Sequence, residues 1–373
     1  MFKKRSALFD CNFVYFLILS FFVIIRIISA TFNIGTVMGY VLNAIIQIGL
    51  AFSLPIFLFS YLRKQKVKNT LVDYGFKKIT AKTFVVSLLL GVLVYIVTIF
   101  IASFFSVVLK GLGYESSSSG ATMTSYPVWL LFLELFTTAI LPGICEEVAH
   151  RGMLLNNYKC LGAKKAILLS GLMFGLMHLN INQFFYATIL GFYFGYVALS
   201  CGSIYPTMIM HFTNNAISTF MTFAIVNNLP IGSFLDKALA KVVSNGFALA
   251  ILVLFMFIAL IVSLVVFLTR YIIKDTRITQ MAQLADTAIK QQLRNEIMSG
   301  IEEAKPIANT NEVDVQLAPQ VFNGKRFVSV NIKTNLMQYK QTYNPSKKDM
   351  IFLYASLFLG IVLTISTFVW GII

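Results

Sequence analysis

Long apolar runs alternate with short polar breaks along this chain, and the runs are long enough to cross a bilayer. They fall at about residues 11–31, 37–62, 83–109, 127–149, 166–182, 185–201, 205–228, 247–271 and 350–372. A hydrocarbon core of about 30 Å takes about 20 apolar residues in a helix, so the pattern predicts nine spanning helices. The fifth and sixth runs are short and separated only by Asn180-Ile181-Asn182-Gln183, which leaves eight as the other count. Between the last two runs the pattern changes. Residues 276–304 put Ile278, Met281, Leu284, Ile289, Leu293, Ile297 and Ile301 on one helical stripe with charged flanks. Beyond Pro306 and Pro319, Val328-Ser329-Val330-Asn331-Ile332 alternates as a short strand does. The expected fold is all-α: a polytopic membrane helical bundle of about eight to nine transmembrane helices with a small cytoplasmic α+β module. Its expected parts are N-terminal transmembrane helices (1–126), a core (127–228), an additional transmembrane helix (229–273), the cytoplasmic module (274–349) and a C-terminal transmembrane helix (350–373).

Composition sharpens this. Of 373 residues, 58% are hydrophobic and 12% charged, against about 45–50% and about 25% in soluble domains. A soluble enzyme, a disordered chain and a disulfide scaffold are all excluded on that balance. Residues 274–349 alone carry 11 basic and 8 acidic side chains. The net charge of +15 does not imply a nucleic-acid partner, because the basic residues sit in short blocks between apolar runs and not on one aromatic-bearing face. Such blocks set membrane orientation. Lys3, Lys4 and Arg5, then Arg63 to Lys82, then Lys159, Lys164 and Lys165, then Arg270, Lys274 and Arg277 all mark one side. The charge-poor stretches 116–120 and 229–245 mark the other. The chain is therefore expected in the plasma membrane with its N-terminus in the cytoplasm and its C-terminus outside. Its Ile-, Phe- and Asn-rich composition points to a bacterium. The first run is not a cleavable signal, since Arg26 interrupts it and no small-residue site follows; Arg26 can snorkel from the outer end. Cys11, Cys145, Cys160 and Cys201 lie in or beside apolar runs without ligand spacing and read as reduced packing residues.

The scarce ionisable groups are not scattered. Three acidic residues fall inside predicted spans, Glu134, Glu146 and Glu147, and the chain has three histidines, His150, His178 and His211. All six lie between residues 134 and 211. Ionisable groups at membrane depth are costly and are kept where they pair or work. Glu147 and Arg151 are four apart and can pair on a helix, while Glu146 points about 100° away. A helix-capping ion pair is the plainer reading, but it leaves the second carboxylate without a partner. Gly171 and Gly175, and Gly191 and Gly195, have the small-xxx-small spacing of closely packed membrane helices. His178 follows the first pair, and by itself it reads equally well as an interhelical hydrogen-bonding group. His211 and Asn215 share a face; Asn214 lies on another and reads as a packing amide. A carboxylate base, two imidazoles and a carboxamide are the parts that water activation and oxyanion stabilisation need. Glu134 is placed as a partner of the site or as part of its lining.

The order E-E-x-x-x-R, F-x-x-x-H, H-x-x-x-N on successive membrane helices resembles the CAAX prenyl protease and bacteriocin-processing family (CPBP, also called Abi), which are intramembrane endopeptidases. The matching residues are Glu146, Glu147 and Arg151, then Phe174 and His178, then His211 and Asn215, over about residues 127–226. His150 is a departure, since relatives usually carry Phe before the Arg; it reads as an interfacial histidine. The resemblance implies that Glu146 activates water, assisted by His178, with His211 and Asn215 stabilising the oxyanion and Glu147, Arg151 and Phe174 as structural support. It also allows the alternative of one zinc ion on Glu146, His178 and His211; no metal is favoured, because H-E-x-x-H spacing is missing. The implied substrate is a membrane-associated or lipidated peptide or protein, reached from the cytoplasm or sideways from lipid. A non-catalytic membrane scaffold or cell-envelope regulator that keeps the peptidase fold is the alternative, and a protein partner is expected for residues 274–349. A proton- or ion-relay transporter would want internal repeats, and none is convincing.

Overall fold

The computed structural model describes residues 6–32, 35–115, 126–233, 247–299, 319–322, 325–328 and 343–371. Every apolar run folds as helix. In chain order these are α1 (Ala7–Thr31), α2 (Thr36–Arg63), a short α3 (Val67–Asp73), α4 (Ala81–Gly111), α5 (Val128–Leu161), α6 (Ala163–Met177), α7 (Ile181–Cys201), α8 (Tyr205–Val226), α9 (Phe247–Ser299) and α10 (Lys347–Trp370). Among the described residues, seven are long and apolar enough to cross a membrane: most of α1, α2, α4, α5, α7, part of α9, and α10. The count falls short of the expected eight to nine for a physical reason. At 15 residues α6 reaches only about 22 Å, and α8 is diluted by His211, Thr213, Asn214 and Asn215.

Two helices outrun their predicted ends. The fourth run was expected to stop at residue 149, but α5 continues to Leu161, and every residue from Val148 to Leu155 is buried. The carboxylates therefore sit in mid-helix. Likewise α9 is one unbroken helix of 53 residues from Phe247 to Ser299, so the helical stripe expected at 276–304 extends the preceding span; residues 300–304 lie outside the described residues. Of the expected module, Pro319–Phe322 and Lys325–Val328 pair as antiparallel strands. The strand expected at 328–332 shares only Val328 with them, and 329–332 lie outside the described residues.

Both α2 and α5 contain π-helical stretches, Gln47–Leu58 and, in α5, Leu135–Ile140 and Val148–Leu155. Wider turns of this kind mark functional sites more often than chance. Pro55 lies in the first of them and its carbonyl accepts a hydrogen bond from the Tyr74 hydroxyl at 2.7 Å.

The glycine spacing is realised as an antiparallel hairpin of α6 and α7. A Cβ on Gly191 would lie 2.7 Å from both the Cα and the carbonyl oxygen of Gly171, and one on Gly175 would meet Thr188 and the Phe184 carbonyl. The hairpin turns at Leu179, whose φ of +49° is uncommon for a residue with a side chain. Thr367 of α10 accepts the Ile181 amide at 3.0 Å and ties the turn to its neighbour. The opposite end of the bundle is fixed by Arg63 on Asp10 at 3.1 Å; Asp10 lies within α1 and is, with Glu146 and Glu147, a third buried acid.

The helix contact makes a prediction. Gly191→Ala forces two backbones apart and is expected to cost about 1–3 kcal/mol, the range for overpacking, seen as a lower melting temperature in detergent. Gly49→Ala, with nothing within 4 Å, should leave the melting temperature unchanged or raise it.

Candidate active site

The site is built around one fully buried ion pair. Arg151 Nη1 donates to Glu147 Oε1 at 2.7 Å, and neither side chain has exposed surface. The guanidinium is further held by the rings of Phe174, 4.4 Å from its carbon, and Phe194, 5.4 Å, in the manner of cation–π contacts. The same Glu147 oxygen receives His211 Nδ1 at 3.1 Å. This orients the His211 ring so that its Nε2 lies 3.9 Å from Glu146 Oε2. Glu147 pairs with Arg151 as their spacing implied and through His211 also joins α5 to α8, while Glu146 faces elsewhere.

Phe174 is the ring on which all three histidines pack. Its centroid lies 5.1 Å from His150, 5.2 Å from His178 and 5.6 Å from His211, with near-perpendicular planes. His178 terminates α6, and its Nδ1 lies 2.9 Å from the Phe174 carbonyl oxygen. A carbonyl can only accept, so Nδ1 carries a proton, and in the neutral ring Nε2 holds the lone pair. His150, expected at an interface, is instead completely buried. Its Nδ1 donates to the Glu146 carbonyl at 2.8 Å, and its Nε2 is 3.1 Å from the Tyr15 hydroxyl, which also donates to the Met173 carbonyl.

Asn215 Nδ2 donates to the Thr138 carbonyl at 3.1 Å, while its Oδ1 accepts from Asn214 Nδ2 at 3.0 Å. Asn214 is therefore more than the packing amide expected: it holds Asn215 and is itself held by Thr98 at 3.3 Å. Glu134 lines neither cavity described below. It accepts a hydrogen bond from Tyr40 and ties α5 to α2.

Two cavities meet at the site. One, of about 440 Å³, is walled by Glu146, Gln47, His178 and Asn215 with Arg26, Ser29 and Gly39. The other, of about 370 Å³, holds His211, Asn214, Asn215, Phe174 and His178. Thr138, His178, Gln183 and Asn215 line both. Each volume suits a small ligand or a few peptide residues, within the usual range of about 300–1,000 Å³. The larger cavity lies against the last turns of α1 and the first three turns of α2. That end is remote from the Asp10–Arg63 pair and from the basic block after Arg63, the end that the charge pattern assigns to the cytoplasm. Arg26, expected to snorkel, lines this cavity and donates to the His178 carbonyl at 3.2 Å.

The zinc alternative on Glu146, His178 and His211 would use Nε2 of each imidazole, since Nδ1 is engaged at the Phe174 carbonyl in His178 and at Glu147 in His211. Three such ligands would converge at about 2 Å from one point, and His211 Nε2 lies 3.9 Å from Glu146 Oε2. Among the described residues no three His, Cys, Asp or Glu side chains gather in that way.

Sequence reasoning missed Gln47 and Tyr15. Gln47 Nε2 donates to Glu146 Oε1 at 2.8 Å. The available signal was the pair Asn43 and Gln47, two amides four residues apart in an otherwise apolar run.

The buried pair yields a prediction. Glu147→Gln strands the Arg151 charge and Arg151→Met strands Glu147, so each is expected to cost about 3–5 kcal/mol. The double variant should recover much of that loss, measured by thermal or denaturant unfolding in detergent.

No curated protein and no solved structure matches the chain. Residues 127–217, which carry Glu146, Glu147 and all three histidines, match the family model described as type II CAAX prenyl endopeptidase Rce1-like, so the resemblance read from the motifs holds across that segment.

Proposed function

We propose that the protein is an intramembrane endopeptidase that hydrolyses a peptide bond of a membrane-associated or lipidated peptide or protein, with Glu146 as the base. The observation that carries this reading is that Glu146, His178 and Asn215 line one cavity while His211 stands beside Glu146. Water held between Glu146 and the unprotonated Nε2 of His178 loses its proton as it attacks the carbonyl carbon. The oxyanion then meets His211 and the amide hydrogen of Asn215 that the Thr138 carbonyl does not use. Glu147 and Arg151 set one negative charge against one positive charge beside His211. That balance suits a site out of water, where a net charge is costly. The proton taken by Glu146 passes to the leaving amine, which restores the carboxylate. The scheme needs no metal.

The remaining details belong to the same reading. The N-terminus lies in the cytoplasm of a bacterium, α6 and α8 complete the bundle of nine helices, and residues 274–349 form a cytoplasmic module that binds a protein partner.

The decisive experiment replaces Glu146 by Gln, which keeps shape and removes the base. Membrane peptides from cells carrying wild-type protein or the variant are compared by mass spectrometry, and those that accumulate in the variant are offered to each protein in proteoliposomes. Cleavage by wild type and none by Glu146→Gln is the expected result. Equal cleavage by both would sink the proposal. A cellular phenotype that survives loss of both Glu146 and His211 would favour the non-catalytic scaffold.

A further inference from the structure

The proposed base is held by a side chain from outside the matched segment. Gln47 belongs to α2, is 3% exposed, and donates through Nε2 to Glu146 Oε1 at 2.8 Å. Because a carboxylate accepts, the nitrogen must face Glu146, which turns Oε1 away from it. That oxygen is buried with no hydrogen-bond partner among the described residues. An unpaired buried acceptor is costly, so apolar packing does not account for an amide at this position. Gln47 also lines the 440 Å³ cavity together with Glu146 and His178.

Its placement is specified by a seam. Tyr40 bonds to Glu134, Asn43 Nδ2 donates to the Thr137 carbonyl at 2.9 Å, and Gln47 reaches Glu146. These three residues are spaced i, i+3 and i+7, one face of a helix, and all their partners are on α5. The seam accounts for Glu134, the intramembrane acid that the proposed chemistry does not use. Few apolar contacts replace it, since within Thr36–Ile46 only Ile46 is buried.

We infer that Gln47 is a positioning residue for Glu146. It pins Oε1, which leaves Oε2 toward His211 and the attacking water, and the seam from Tyr40 to Asn43 sets the register in which it does so. The catalytic half of this inference rests on the peptidase reading; the contact itself does not.

The test uses wild-type protein, Gln47→Met, Gln47→Leu and Glu146→Gln in phosphatidylglycerol vesicles. Infrared difference spectra on acidification identify the carboxyl stretch of Glu146 as the band that Glu146→Gln removes. Both Gln47 variants are expected to move that band to higher frequency, because the carbonyl loses its donor. With a quenched-fluorescent library of apolar octapeptides, they should lower kcat about tenfold, the scale of one hydrogen bond to a charged group, and leave KM near wild type. A band that stays in place in both variants overturns the inference. So does a shifted band with unchanged kcat, since the contact would then be structural only. If wild-type protein cleaves no library member, the peptidase reading is what fails, and the band position alone decides whether Gln47 holds Glu146.

Discussion

The structure depends on the neutralisation of one charge where there is no water. Glu147 and Arg151 are both fully buried, and either one alone would cost more than most helix contacts supply. Arg151 meets this demand by reaching Glu147, the rings of Phe174 and Phe194, and the Gly191 carbonyl at 3.4 Å. In doing so it gathers α5, α6 and α7 around one point. His211 brings α8 to the same carboxylate. A pair that is costly to bury thus fixes the mutual placement of four helices, and Glu146, which the pair does not engage, is left to Gln47 and His211.

The hairpin of α6 and α7 sets depth. Because α6 has only 15 residues and ends at Met177, His178 is presented at a helix end beside the cavities and not buried in mid-helix. The left-handed turn at Leu179 makes the reversal abrupt, and the glycine faces then let α7 return against α6 with almost no gap. Bond length alone would not bring His178 to Glu146; an early stop does.

Much of this was legible in the sequence, and what was not has a common cause. The apolar runs gave the helices because helical period and bilayer thickness both leave their mark on single residues. The motif residues Glu146, Glu147, Arg151, Phe174, His178, His211 and Asn215 stood out because ionisable and amide groups are rare in apolar runs. The long continuation of α5 past residue 149 was missed because Arg151 and His150 look like an interface until their partners are known. Gln47 was missed because it lies about 100 residues from Glu146, and no local spacing connects them. The bond made by Glu134 was not legible for the same reason: its partner Tyr40 is on another helix. Local pattern records what a residue is; it does not record which distant segment answers it.

Gln47, Tyr15 and Arg26 have one property in common: all three reach the site from α1 or α2, outside residues 127–217. The matched segment therefore carries the motif residues but only part of the chamber around them. The larger cavity owes half of its wall to helices that the family match does not cover. A change in the first two helices can reshape the space around Glu146 while the Glu147–Arg151 pair stays as it is, so two chains with the same motifs need not enclose the same chamber.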